Sequence, residues 1–394
     1  MAVHPRLGRI DAGRATTEER GQGPETRGSE LAIGYLTRDR AAPVTPYFDP
    51  PPHEPGLWGA RLAVDDNNTT GRFTHQSFAL VERRLDEGGD LAESLRQLIV
   101  KQGVKHVLLD LPPADIRALS SLPEAAEVLL YDVGSADDGL RAEGCAVNVL
   151  HLLPSRAMLA DALAQFLAKK RWAKWFLIVG PAPEDQLFAY AVERAAKRFG
   201  GRIVERRPWT HTFDERRTPE SEIPVFTQGV DYDVVIVADE AGAFGDLLPY
   251  RTWNARPVVG TQGLVPIAWH RTHEIWGALQ LQNRFRERAG RWMGVTDYGA
   301  WLAVRAIGEA ATRTASIDFA ALRDYLLGDR LALAGFKGVP LSFRRWDGQL
   351  RQPVLLADER SLVAVAPIEG FIHPRNELDT LGYDESETGC HARR

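Results

Sequence analysis

The chain carries few residues arranged for bond-making chemistry and many arranged for recognition. His270, His273 and Glu274 in the run WHRTHE could ligate a metal, because two imidazoles three residues apart can share one helical face. The HExxH spacing of zinc peptidases does not occur, and the same residues suit a polar turn, so a metal site stays unassigned. Carboxylates recur in pairs, Asp137 with Asp138, Glu184 with Asp185 and Asp239 with Glu240, beside the single Asp115. Such acids can accept hydrogen bonds from a solute or hold a hard cation through oxygen, and each taken singly also suits a helix cap. The only cysteines, Cys145 and Cys390, allow one bridge or two free thiols. No GxGxxG follows a strand, and neither GxxxxGK[ST] nor GxSxG occurs. Dinucleotide, P-loop and nucleophile-elbow chemistry therefore lack the glycine turns they need, which favours a binder over an enzyme and implies no cofactor.

The elements that must position these residues follow from periodicity. LAIGYL (31–36), FALVERRL (78–85), HVLLD (106–110) and EVLLYD (127–132) read as strands, and the segments between them repeat apolar residues every three or four positions. After the extended NVLHLLP (148–154) the rhythm restarts with a helix over 155–170 and the strands WFLIVG (175–180), DVVIVAD (233–239) and PVVGT (257–261). Two successive α/β halves imply two doubly wound, mainly parallel sheets. A helical stretch and the short strands PLSFRRW, QPVLLAD and LVAVAP follow, so the chain is expected to cross between the halves more than once.

In open α/β sheets, ligands bind just outside the carboxyl ends of the strands. The loops there supply the candidate ligand-binding residues Thr37, Asp115, Ser135, Asp137, Asp138, Glu184, Asp185, Asp239, Glu240, Thr261 and Gln262. Trp269 joins them as an aromatic that could stack on a ligand or plug a hinge, with Trp276 nearby. Seven of these loop residues are acids, against chiefly Arg38 and Arg141, so the expected ligand is a cation or a neutral polar solute. Pro112 and Pro113 remove backbone donors that an α-amino acid carboxylate would want. An alcohol-derived or quinone-related molecule, or a multivalent metal cation, fits that expectation better than an ordinary amino acid.

Length and composition agree with two lobes. The 394 residues are 44% hydrophobic, more than one core usually organises, and the formal charge of −5 is spread without a basic stripe, so nucleic acid is not an expected partner. No window approaches eighteen uninterrupted apolar residues, as a membrane-spanning helix would require. Residues 1–30, rich in Gly, Arg, Glu and Thr, read as a disordered leader with no apolar export signal.

Longer segments carry a resemblance. GLWGARLAVDDNN, GVKHVLLD, KWFLIVGPAPEDQLFAYAVERAAKRFG and FKGVPLSFRRWDGQLRQPVLL resemble the branched-chain-amino-acid-type (type I) periplasmic binding proteins of ABC transporters. LLYDVGSADDGLRAEGCAVNVLHLLPSRAMLADALAQFLAKKRW, RPVVGTQGLVPIAWHRTHEIWGALQLQNRF and GFIHPRNELDTLGYD are similar to a subfamily found with pyrroloquinoline-quinone-dependent alcohol oxidation. The resemblance implies a Venus-flytrap architecture with three hinge crossovers, near 149–154, 275–281 and 338–343. Lobe one is then 31–148 plus 282–337, and lobe two 149–281 plus 338–394. It further implies a periplasmic monomer that binds a small molecule or metal ion and partners an ABC permease, and it raises the expectation of a Cys145–Cys390 disulfide. A ligand sensor of the same fold is the alternative.

Overall fold

The structure, a computed structural model, describes residues 29–39, 54–210 and 217–390. The expected leader lies outside the described residues except for Ser29 and Glu30, which open the first strand. β1 (Ser29–Arg38), β2 (Gln76–Leu85), β3 (His106–Asp110), β4 (Leu129–Asp132) and β5 (Val149–His151) form one sheet in the order β2-β1-β3-β4-β5. Every pairing in it is parallel. Strand β3 is buried at all five positions, as a central strand covered on both faces must be. The covering helices are α1 (Leu57–Thr74), α2 (Leu91–Arg96) and α3 (Pro113–Ser120).

The restart of the α/β rhythm builds the second lobe. It comprises α4 (Arg156–Lys170), β6 (Lys174–Val179), α5 (Pro183–Phe199), β7 (Arg202–Pro208), α6 (Pro219–Phe226), β8 (Val234–Ala238), α7 (Leu248–Arg251) and β9 (Val258–Gly260). Its sheet is again parallel, in the order β7-β6-β8-β9. β10 (Val265–Ile267) then pairs antiparallel with a late hairpin, β14 (Val354–Ala357) and β15 (Leu362–Ala366). Between these the chain returns to the first lobe as α8 (Ala278–Ala289), α9 (Val295–Thr314) and α10 (Phe319–Leu327). There it also forms the short antiparallel strands β11 (Leu333–Ala334), β12 (Pro340–Phe343) and β13 (Leu350–Arg351).

Core membership locates the crossings. Leu152 packs in the first core and Met158 in the second, so the first crossing lies between them. Ile267 still pairs with β14 while Trp269 is buried in the first core, so the chain crosses at 267–269, earlier than the 275–281 expected from sequence. Leu341, Phe343 and Leu350 also belong to the first core and Val354 to the second, so the last crossing lies between 350 and 354 rather than at 338–343. Both displacements have one cause: the apolar runs looked alike to either side, and only contact with one core or the other assigns them.

The crossing segments are tied side by side. The His151 N–H donates to Gly348 O at 2.9 Å, and Gln349 Nε2 donates to Leu153 O at 2.9 Å. Gln352 Nε2 donates to Leu152 O, and the buried Lys337 Nζ donates to Pro353 O at 2.6 Å. The tail beyond β15 lies on the second lobe, with Leu381 in its core, and ends in a disulfide between Cys390 and Cys145. No helix among the described residues is long and apolar enough to cross a membrane.

Candidate functional site

A cavity of about 620 Å³ opens where the lobes meet. The first lobe contributes Gly134 and Ala136 from the loop after β4, and Val295 at the start of α9. Leu153 and Pro154 of the first crossing form its back. The second lobe contributes Arg156 and Leu159 of α4, Phe188 of α5, the loop after β8, and the segment from Gly260 through β10 to Ala268. The carboxyl ends of β4, β8 and β9 thus converge on one space, the position at which open α/β sheets take ligands. Most of its wall is apolar; the polar groups gather on one side.

That polar side is built around Asp239. Its carboxylate accepts the backbone N–H groups of Ala243, Phe244 and Gly245 at 2.7–2.9 Å and folds the loop after β8 around itself. A Cβ at Gly245 would lie 2.3 Å from Gln262 Oε1, so a larger residue there would displace the Gln262 side chain from Asp239. Thr261 Oγ1 accepts the Asp239 N–H at 2.9 Å, and Gln262 Nε2 donates to Asp239 O at 3.1 Å. Glu240 grips Arg156, whose Nε and Nη2 donate to its two oxygens at 2.6–3.1 Å. Burial raises the Glu240 pKa, and the guanidinium offsets part of that shift. Asp246 also lines the cavity, and burial, together with the charge of Asp239, raises its carboxyl pKa.

Of the residues expected from sequence, Asp239, Glu240, Thr261 and Gln262 line this cavity. The structure places the others elsewhere. Thr37 Oγ1 donates to Asp110 O, and Asp115 pairs with Arg38 at 2.6 Å on the first lobe. Ser135 is buried, and its Oγ accepts the Asp137 N–H at 3.1 Å. Asp137 caps the short turn of 138–141 through Leu140 N, and Asp138 accepts the Ala157 N–H at the start of α4. Asp185 closes the first turn of α5 on Ala182 N, while Glu184 on the same turn is exposed. Trp269 is buried with its ring stacked 4.2 Å from that of Tyr298, inside the first core. His270 Nδ1 meets Thr272 Oγ1 at 2.8 Å within its own loop, and His273 Nε2 donates to Phe336 O at 2.8 Å, tying that loop to the segment between β11 and β12. Among the described residues no three His, Cys, Asp or Glu side chains converge as a metal site.

Arg156, Asp246, Phe188 and the 265–268 segment escaped the sequence reading. Arg156 follows the Ser155 cap of α4 at the first crossing, and its place at a helix start beside a lobe junction was the one legible signal. Arg38 and Arg141, the expected bases, are engaged outside the cavity: Arg141 is buried and donates to Gln349 Oε1 and to the carbonyls of Ser135, Asp137 and Leu153.

No family model and no curated protein matches the chain. Solved structures are. A branched-chain amino acid ABC transporter periplasmic ligand-binding protein from Burkholderia xenovorans aligns with a TM-score of 0.68 at 16% identity, over 93% of this chain and 100% of its own. A branched-chain amino acid transporter substrate-binding protein from Streptococcus pneumoniae, solved with isoleucine, gives 0.60 at 15% identity over 86% and 98%. A leucine-, isoleucine-, valine-, threonine- and alanine-binding protein from Brucella ovis, in a closed conformation, gives 0.61 at 13% over 91% and 96%. The architecture is that of the type I periplasmic binding proteins.

Proposed function

We propose that the chain is a periplasmic solute-binding protein, not an enzyme, that closes its two lobes on a small molecule and delivers it to the membrane permease of an ABC importer. The observation that carries this reading is the cavity of about 620 Å³ between the lobes, at the ends of strands from both sheets and backed by the crossing segments. A rotation about those segments opens and closes the space, the hinge motion by which such folds sequester ligands. The similar solved structures support the same reading, since they are named as transporter binding proteins. The sequence segments quoted above point further, to a place beside quinone-dependent alcohol oxidation, with the protein acting as a monomer.

A ligand sensor without transport is the second reading, since a cavity between two lobes serves either role. Native mass spectrometry of protein from its own host tests the binding role that both readings share. The expected result is a retained small molecule, with compaction in solution when the stripped protein is reloaded. Protein that retains nothing and never compacts with extracts of its host overturns the proposal. Co-purification with a permease then separates importer from sensor.

A further inference from the structure

Four charged side chains line the cavity, and their partners divide them sharply. Asp239 is satisfied by three backbone N–H groups, and Glu240 by the Arg156 guanidinium. Asp246 lines the same space and is exposed, and its carboxylate forms no hydrogen bond or ion pair with the described residues. On the opposite count, Arg156 Nη1 is buried without a hydrogen-bond partner and stands 3.7 Å from Asp137 Oδ2, beyond hydrogen-bond reach. Nη1 is closed off in this arrangement, and the guanidinium charge is spent on Glu240 and Asp137 rather than offered to a solute. Three carboxylates therefore face one guanidinium that is already neutralised.

That arithmetic discriminates among solutes. A ligand carboxylate would enter beside Asp239 and Asp246 with no unspent cation to meet it, and a desolvated anion without a counter-charge is strongly disfavoured. An ammonium or hydroxyl finds the Asp246 carboxylate. An aliphatic or aromatic body finds Leu153, Leu159, Phe188 and Val295. Building on the binding-protein reading, we infer that the cleft selects small amphiphilic amines and alcohols that lack a free carboxylate, with Asp246 as the discriminating contact.

Calorimetric titration of the full chain with two matched series tests this. One shares an isobutyl body (leucinol, isopentylamine, isopentanol, leucine, isovalerate); the other shares a benzyl body (phenylalaninol, benzylamine, benzyl alcohol, phenylalanine, phenylacetate). Within at least one series the amine, alcohol or amino alcohol should bind about tenfold or more tightly than the amino acid and the acid. Asp246→Asn should remove the preference for ammonium over hydroxyl. An amino acid or acid that binds as tightly as its amino alcohol overturns the inference and leaves the binding cavity standing. Failure of every member at millimolar concentration overturns the inference and the cavity reading together. So does binding undisturbed by the cavity-filling Leu159→Trp and Val295→Trp variants.

Discussion

At the scale of single residues, the acids that crowd the strand ends mostly hold backbone. Asp137, Asp138, Asp185 and Asp239 each accept main-chain N–H groups at a loop or helix start, where a carboxylate complements unpaired donors. In the cavity Asp246 is spared both that duty and the guanidinium that Glu240 holds, which is why it can speak to a ligand. A different buried group sets a pH response. His106 Nδ1 lies 2.8 Å from the Tyr131 hydroxyl inside the first sheet, and burial lowers its pKa to about 3. The unfolded chain protonates this imidazole near 6.5 while the folded chain does not, so the unfolded state binds more protons between those values. Stability from this group is complete above about pH 6.5 and is lost as pH falls toward 3, by a few kcal/mol on the order of 1.4 per unit. Denaturant titrations at several pH values should show that slope flattened in His106→Gln; an unchanged slope refutes the assignment.

At the scale of elements, the first lobe depends on how closely α1 and α9 approach. A Cβ on Gly59 would lie 1.9 Å from the Asp297 carbonyl oxygen, at the first turn of α9. Asp297 is itself fixed by Arg291 at 2.6 Å and by the Gly56 N–H at 2.9 Å, so the backbone it carries cannot retreat freely. Gly59→Ala should therefore destabilise the protein by at least the roughly 1–3 kcal/mol typical of overpacking, although alanine is the better helix former. A chemical-denaturation midpoint equal to that of the parent chain would show that the helices can part. In the second lobe, α4, α5 and the tail share one buried anchor: Asp161 accepts Arg194 and Arg198 of α5 and the Gly382 N–H. The polar Asp161 and Gln165 among the otherwise apolar buried residues of α4 are explained by the tail that covers them, with Gln165 Nε2 donating to Thr380 Oγ1 at 3.1 Å.

At the scale of the whole molecule, the Cys145–Cys390 disulfide joins chain that packs on different lobes. Cys145 lies between the 138–141 turn and β5, beside Ala146 on the first lobe's core, whereas the tail is seated on the second through Leu381 and Gly382. The bridge spans a sequence separation of 245 residues and so fastens the tail across the lobe junction. Loss of so long a closed loop should cost about 2–5 kcal/mol, less whatever the tail's remaining contacts retain. Reductant should lower the thermal midpoint of the parent chain but leave that of Cys145→Ser/Cys390→Ser unchanged, and the freed tail should become a site of early proteolysis. Equal midpoints for the two chains, with the tail still resistant, would mean that noncovalent contacts suffice. Scattering curves with and without a bound amine would report lobe closure directly, and a radius of gyration that does not shrink would argue against a hinge.

By itself, the sequence determined the layered α/β pattern, the restart after 154 and the strand-end loops, because strand and helix periodicity is local and survives without knowledge of contacts. HVLLD and DVVIVAD are legible as buried parallel strands from composition alone. The pairing of Cys145 with Cys390 was suggested only through resemblance, since two cysteines so far apart carry no geometric signal. The tertiary structure alone decided which strand-end acids face the cavity, because a carboxylate that caps a turn and one that meets a ligand have the same letter and the same neighbours in sequence. It also decided where the crossings fall and that Arg156, not Arg38 or Arg141, is the guanidinium of the cleft. Those facts depend on which of two similar cores a short apolar segment joins, and that choice is fixed by long-range packing rather than by any local propensity.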